Sequence, residues 1–227
     1  MLVFLIIIII IIIIYNSYNK YWKNHGFVHH LTNLPTKFDN GIFNYNLNNN
    51  LFNRVYLFYR KGEGIGYDTI KNHNMNIFIK LYENIEFINF ISDIVGEKVY
   101  PCPEFDKHRI GIYKYSKKDD FINWHYDKSF YKGTRYTVLI TLKNGDIKNN
   151  CNLEYIYKDK LYKWNSEKYN MIVFHGDKLY HRVTKMKPYN NTISERIIFT
   201  LEYVTDTKIN PINKFIDNIK NKVIYKF

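Results

Sequence analysis

The chain has 227 residues, 46% hydrophobic and 18% aromatic, with a formal net charge of +12. That length suits one domain, alone or with a short tail, and the apolar content excludes a disordered chain. The positive balance admits an anionic partner, but the 33 basic residues are scattered and read first as a solvated surface.

Leu2 to Ile14 is an unbroken apolar run that includes nine consecutive isoleucines. As a helix it would reach about 20 Å, short of the roughly 30 Å hydrocarbon core of a bilayer. No charged segment precedes it and no small-residue cleavage site follows, so a cleaved signal peptide fits poorly. Tyr15, Tyr18, Tyr21 and Trp22 come next, suited to a membrane interface, with Lys20 and Lys23 among and after them. Residues 1–22 are therefore expected to be an uncleaved, single-span N-terminal membrane anchor. The charge after the run places the body on the cytosolic side; a luminal body is the alternative, and only there would the sequon Asn190-Asn191-Thr192 matter.

Residues 23–60 are polar, rich in asparagine and without clear period, and are expected to form a linker holding the incidental histidines His25, His29 and His30. Gly62-Glu63-Gly64-Ile65-Gly66 lacks the Lys-Ser or Lys-Thr of a phosphate loop and reads as a flexible turn. Phe78, Leu81, Ile85, Ile88, Ile91 and Val95 recur every three or four residues, one helical stripe that Gly96 would cap. After Pro101-Cys102-Pro103 come eight short runs rich in Tyr, Ile, Val, Phe and Thr, at 110–115, 121–127, 135–143, 153–157, 161–164, 171–174, 179–183 and 196–204. Turn residues separate them, the pattern of a sandwich or jelly-roll barrel. Asn210-Pro211, with Ile212, Phe215, Ile216 and Ile219 behind it, predicts a closing helix over 211–227. The fold class is α+β with a β core, one domain over 61–210. Cys102 and Cys151 form neither a CxxC nor a zinc-like array, and whether they pair is left open.

The chemistry lies among these strands. Residues i and i+2 of a strand face one way, so His125 and Asp127 project together. His181, 54 residues after Asp127, can add a second imidazole from another strand, and His175 in Phe174-His175-Gly176 competes for that place. Two imidazoles and one carboxylate hold a ferrous ion by one face and leave the opposite positions open. Zinc accepts the same donors, but Arg196 one strand further on suits an anionic cosubstrate, which favours iron.

Tyr115, His125-x-Asp127 and Arg135-Tyr136-Thr137-Val138-Leu139-Ile140 together resemble the 2-oxoglutarate and Fe(II)-dependent dioxygenases, especially the prolyl 4-hydroxylase-like branch. His181-Arg182-Val183 is similar to that family's distal ligand motif and Arg196 to its 2-oxoglutarate anchor, so the likeness spans roughly residues 105–205. The resemblance implies a double-stranded β-helix with flanking helices, with His125, Asp127 and His181 on Fe(II). It also implies 2-oxoglutarate as cosubstrate, bound by Arg196 with the Tyr115 hydroxyl, Thr137 lining the pocket and ascorbate as a reductant. The implied reaction couples decarboxylation of 2-oxoglutarate to hydroxylation of a C–H bond in a prolyl or other protein side chain, a small molecule or a lipid. A nucleic-acid demethylase of the same superfamily and a non-catalytic membrane-tethered jelly-roll module are the competing readings. One departure stands out: Arg196 follows His181 by 15 residues, further than the family's anchor, which makes Lys185 and Lys187 rivals.

Overall fold

The structure, a computed structural model, describes residues 26–127, 129–145, 151–164, 166–187, 195–212 and 214–215. Strand β1 (Val28–Leu31) comes first, followed by three single 3-10 turns at Thr36–Phe38, Ile42–Asn44 and Asn49–Leu51. A hairpin of β2 (Asn53–Leu57) and β3 (Arg60–Gly66) leads into three helices, α1 (Tyr67–Asn72), α2 (Asn76–Glu83) and α3 (Ile85–Val95). The two-residue strand β4 (Tyr100–Pro101) precedes the eight strands of the barrel. These are β5 (Ile110–Tyr115), β6 (Phe121–His125), β7 (Arg135–Asn144), β8 (Leu153–Tyr157), β9 (Lys160–Trp164), β10 (Met171–His175), β11 (Tyr180–Val183) and β12 (Arg196–Val204).

The strands run in the order β1-β10-β7-β12-β5-β3-β6-β11-β8-β9. Two four-stranded antiparallel walls emerge, β10-β7-β12-β5 and β6-β11-β8-β9, and β3 joins them by pairing with both β5 and β6. At the opposite seam no ladder joins β1 to β9 among the described residues; there His30 Nε2 and Tyr155 Oη share a hydrogen bond of 2.9 Å.

Strand β12 shows why the layers stack as they do, because all nine of its residues are buried. Ile197, Phe199, Leu201 and Tyr203 belong to the core that the helices share with the outside of this wall, where Phe78 meets Phe199 at 4.9 Å and Tyr82 meets Tyr203 at 5.0 Å. By the two-residue alternation of a strand, Arg196, Ile198, Thr200 and Glu202 face the barrel interior. The interior's apolar part is a second core containing Leu153, Tyr155, Trp164, Ile172, Phe174 and Val183.

The stretch holding the helical stripe forms as three helices instead of one, with the stripe itself divided between α2 and α3. Asn74 turns back with φ of 53°, and Asn84 is extended, its Oδ1 accepting from the backbone N–H of Glu86 at 2.8 Å. An asparagine there competes with helix propagation by capping the next helix. Ile85 falls at that restart and is 67% exposed, whereas Gly96 ends α3 at φ of 75°, as the sequence suggests.

Two expectations are corrected. The segment expected to be a linker, 23–60, packs over its described part: Phe38 and Ile42 are each 1% exposed, with Phe38 against Phe87 at 5.1 Å. Isolated aromatic and branched residues among asparagines carry no period, so their burial is set by tertiary contacts alone. Gly62 to Gly66 is not a turn but part of β3; a Cβ on Gly64 would stand 3.1 Å from the Tyr113 ring, so glycine lets that ring lie across the strand. The anchor expected at 1–22 lies outside the described residues, and so does most of the helix expected at 211–227. Among the described residues no helix is long and apolar enough to cross a membrane. The chain does turn helical where the closing helix should begin, with Asn210 Oδ1 accepting from Ile212 N–H at 3.1 Å.

His175 ties the start of the described chain to the barrel. Its Nδ1 accepts from Phe27 N–H at 3.1 Å, and its Nε2 meets Tyr136 Oη at 2.9 Å, with Tyr136 donating on to Glu97. A proton on Nδ1 would destroy the first of these bonds. Burial, and then Lys178, push the imidazole down to about 4, against about 6.5 for a free histidine. Between those two pH values the unfolded chain binds a proton that the folded chain refuses, so stability falls as pH drops from 6.5 to 4 and is unaffected above. Melting of His175→Gln across this range should show a shallower acid slope than the unaltered chain, and equal slopes would reject the assignment.

Candidate metal centre

His125 and His181 are brought together by register. They are directly opposed on β6 and β11, and their ring centroids stand 4.2 Å apart. Each ring is fixed by the carbonyl two residues before it: His125 Nδ1 lies 2.7 Å from Asn123 O, and His181 Nδ1 lies 2.8 Å from Leu179 O. A carbonyl can only accept, so Nδ1 carries the proton in both rings and the Nε2 lone pairs are free.

Asp127 completes the group by a route the sequence did not suggest. Strand β6 ends at His125, and Asp127 lies beyond it, anchored by its backbone N–H to Gly176 O at 2.8 Å. Its carboxylate reaches back so that Oδ1 is 3.5 Å from His125 Nε2 and Oδ2 is 3.8 Å from His181 Nε2. One donor atom from each of the three residues lies within 4.8 Å of the others.

Protonation states suit a cation. Burial, with His125 next to it, holds the His181 imidazole down at about 4, hence neutral near pH 7. Burial resists ionisation of Asp127, but the two imidazoles and Arg135 outweigh it and hold its carboxyl well below the usual range. Neutral imidazoles and a carboxylate are the forms in which these side chains bind metal. His181 is almost closed off, with 6% of its side chain exposed, whereas His125 and Asp127 keep 28% and 25%; the centre is approached from their side.

Deeper in the barrel stands Arg196, directly opposite Tyr115 across the β12–β5 ladder, with its guanidinium 5.7 Å from the Tyr115 ring centre. It is 2% exposed, and its Nε and Nη2 have no hydrogen-bond partner among the described residues. Burial lowers its pKa, because charge there is poorly solvated. Two further interior groups are orphaned in the same way, the hydroxyls of Thr141 and Thr200. A buried cation and two buried hydroxyls left unpaired cost stability, and an oxygen-rich dicarboxylate would satisfy them. The residues therefore fit both Fe(II) and 2-oxoglutarate. Thr141 and Thr200 escaped the sequence reading, since threonine in a strand is ordinary and only the missing partner marks it.

The other candidates stand elsewhere. His175 is committed to Phe27 and Tyr136, and Lys185 and Lys187 are exposed, Lys185 lying over the Phe121 ring at 5.8 Å. Thr137, expected to line the cosubstrate pocket, places Oγ1 2.9 Å from Asp127 Oδ2 and 2.9 Å from Glu202 Oε2. Arg135 Nε donates to the same Glu202 oxygen at 2.9 Å, and burial raises the Glu202 carboxyl to about 8 despite that cation. Cys102 and Cys151 are both buried and free.

The sequence matches the family model described as Halogenase D over residues 53–140, a span that holds His125 and Asp127 but stops short of His181 and Arg196. No curated protein matches it. Among solved structures it is similar to a 2OG-Fe(II) oxygenase family oxidoreductase from Burkholderia pseudomallei, with TM-score 0.54 and 14% identity over 70% of this chain and 76% of that one. A prolyl hydroxylase from Trichoplax adhaerens, solved with a hypoxia inducible factor peptide fragment, gives TM-score 0.56 and 15% identity over 82% and 86%. The non-heme alpha ketoglutarate dependent epimerase SnoN from nogalamycin biosynthesis gives 0.56 and 9% over 82% and 78%. The chain has the curled, mostly β-sheet fold of these solved structures, with its own histidines, carboxylate and arginine gathered inside it.

Proposed function

We propose that the protein is a 2-oxoglutarate- and Fe(II)-dependent dioxygenase that hydroxylates a C–H bond. The observation that carries this is the meeting of three metal-donor atoms within 4.8 Å in a barrel that also buries a guanidinium whose Nε and Nη2 have no partner among the described residues. His125, Asp127 and His181 would hold the iron by one face. Arg196 would grip the distal carboxylate of 2-oxoglutarate, with its planar fork suited to two parallel bonds, while Tyr115 stands opposite it and Thr141 and Thr200 offer further interior hydroxyls. Bound iron and 2-oxoglutarate supply the oxidising chemistry, one oxygen atom of O2 ending in succinate as CO2 leaves and the other in the hydroxylated product. The protein's part is to position: it keeps the cosubstrate end buried and leaves the His125 and Asp127 side open for the substrate.

Asp127 bears on the match to a halogenase family. With that carboxylate as a third protein donor, His125, Asp127 and His181 would hold Fe(II) as the two-imidazole, one-carboxylate set of non-heme Fe(II) oxygenases, which favours hydroxylation over halide transfer. A peptidyl side chain, prolyl among them, is the substrate class we assign; the peptide-bound Trichoplax enzyme of the same fold supports it.

His125→Ala and Asp127→Ala should each abolish Fe(II)-dependent formation of succinate, and normal turnover in both would reject the centre. Arg196→Ala should weaken 2-oxoglutarate about 10- to 100-fold, the worth of a charge-assisted hydrogen bond. Anaerobic titration of the Fe(II) protein, followed by its visible charge-transfer band, reads that affinity. An unchanged value would move the anchor to Lys185 or Lys187.

A further inference from the structure

Asp127 is the one metal donor that no strand holds, because β6 stops two residues before it. Its position comes from the opposite wall. Gly176, just past β10, accepts from Asp127 N–H at 2.8 Å while donating its own N–H to Arg135 O at 3.0 Å, so the Asp127 backbone is clamped to the start of β7. The side chain is then met by Thr137 Oγ1 at 2.9 Å from Oδ2. Gly176 leaves room for this contact: a Cβ there would run into Thr137 Oγ1 and stand 3.1 Å from Asp127 Oδ2.

Thr137 in turn faces Glu202. The two are directly paired across the β7–β12 ladder, with Arg135 opposite Val204 in the same register. Glu202 Oε2 is 2.9 Å from Thr137 Oγ1 and accepts from Arg135 Nε at 2.9 Å. Arg135, Thr137 and Glu202 are 5%, 2% and 4% exposed, so water does not compete for these bonds. The hydroxyl has a single proton for two carboxyl groups. Both Asp127 Oδ2 and Glu202 Oε2 accept from Thr137 Oγ1, so that one proton is shared between the two carboxyl groups and couples them.

We infer that Glu202, held by Arg135, is a positioning residue for the metal centre. Acting through the Thr137 hydroxyl, it fixes Asp127 Oδ2 and keeps Oδ1 turned toward His125. The inference rests on the proposed metal centre and extends it to a buried ion pair that touches neither ligand nor metal. Its energetic signature is unusual. A buried ion pair replaced as a unit by apolar side chains of similar size is often neutral or stabilising, so the fold does not need this one. Metal affinity does.

The test uses the metal-free full chain and Co(II), with affinity read by calorimetry and coordination read by the visible absorption of the bound ion. Thr137→Val, which keeps the shape and removes the hydroxyl, should weaken Co(II) about tenfold or more and alter the spectrum, and Thr137→Ser should restore both. The double variant Arg135→Met/Glu202→Met should weaken Co(II) by a similar factor with an undiminished melting temperature, and adding Thr137→Val to it should cost little more. A Thr137→Val protein with unaltered Co(II) affinity and spectrum would overturn the positioning role. So would a folded double variant that binds like the parent. The Thr137 pair changes one hydroxyl and decides the matter even if the double variant does not fold. An unaltered chain that binds no Co(II) at all would instead sink the metal centre itself.

Discussion

The pairing of β6 with β11, which sets His125 opposite His181, is the constraint on which the chemistry depends. Side chains alternate across a strand, so a slip of one residue would turn either imidazole out of the barrel and leave a lone histidine facing a carboxylate. The register is held from both sides, since β11 also pairs with β8, where Tyr155 stands opposite His181. The carbonyls of Asn123 and Leu179 then fix the two tautomers. Ladder geometry and ring orientation are thus one device.

Around that device the barrel interior is divided by function along β12. At one end Arg196 lies buried with Nε and Nη2 lacking partners among the described residues, and the Thr141 and Thr200 hydroxyls lack them further along; at the other end Arg135 is bonded to Glu202, Glu202 to Thr137 and Thr137 to Asp127. The unpaired end is costly as it stands, and a bound dicarboxylate would offset that cost. The paired end is already complete and acts as a brace. Burial alone explains neither, because both ends are equally dry; what differs is whether each polar atom has a partner.

Much of this was legible in the sequence, for physical reasons. The eight barrel strands could be read because each is short, rich in branched and aromatic residues and bounded by turn residues, and their limits agree with the structure to within a residue or two. His125, His181 and Arg196 were legible because strands carry them and period two decides where they face. Asp127 was identified for a reason that proved incomplete, since it leaves the strand and owes its place to Gly176. Thr141, Thr200 and Glu202 could not be found, because their meaning lies in partners gained or lacking across a ladder. Nor could the packing of Phe38 and Ile42, which sit in an asparagine-rich stretch with no repeat to betray a buried face. The break at Asn84 was missed because a stripe of apolar residues outweighed a single capping side chain.

The two walls of the barrel are not joined alike. Along β3 they share a continuous backbone ladder, like pages sewn at a spine. At the fore-edge they meet, among the described residues, through side chains such as the His30–Tyr155 contact, worth about 1 kcal/mol as a single hydrogen bond. Any breathing of the barrel therefore opens at the fore-edge and leaves the spine shut. Tyr115, on the strand next to the spine, and Arg196, paired with it one strand further out, lie far from that edge.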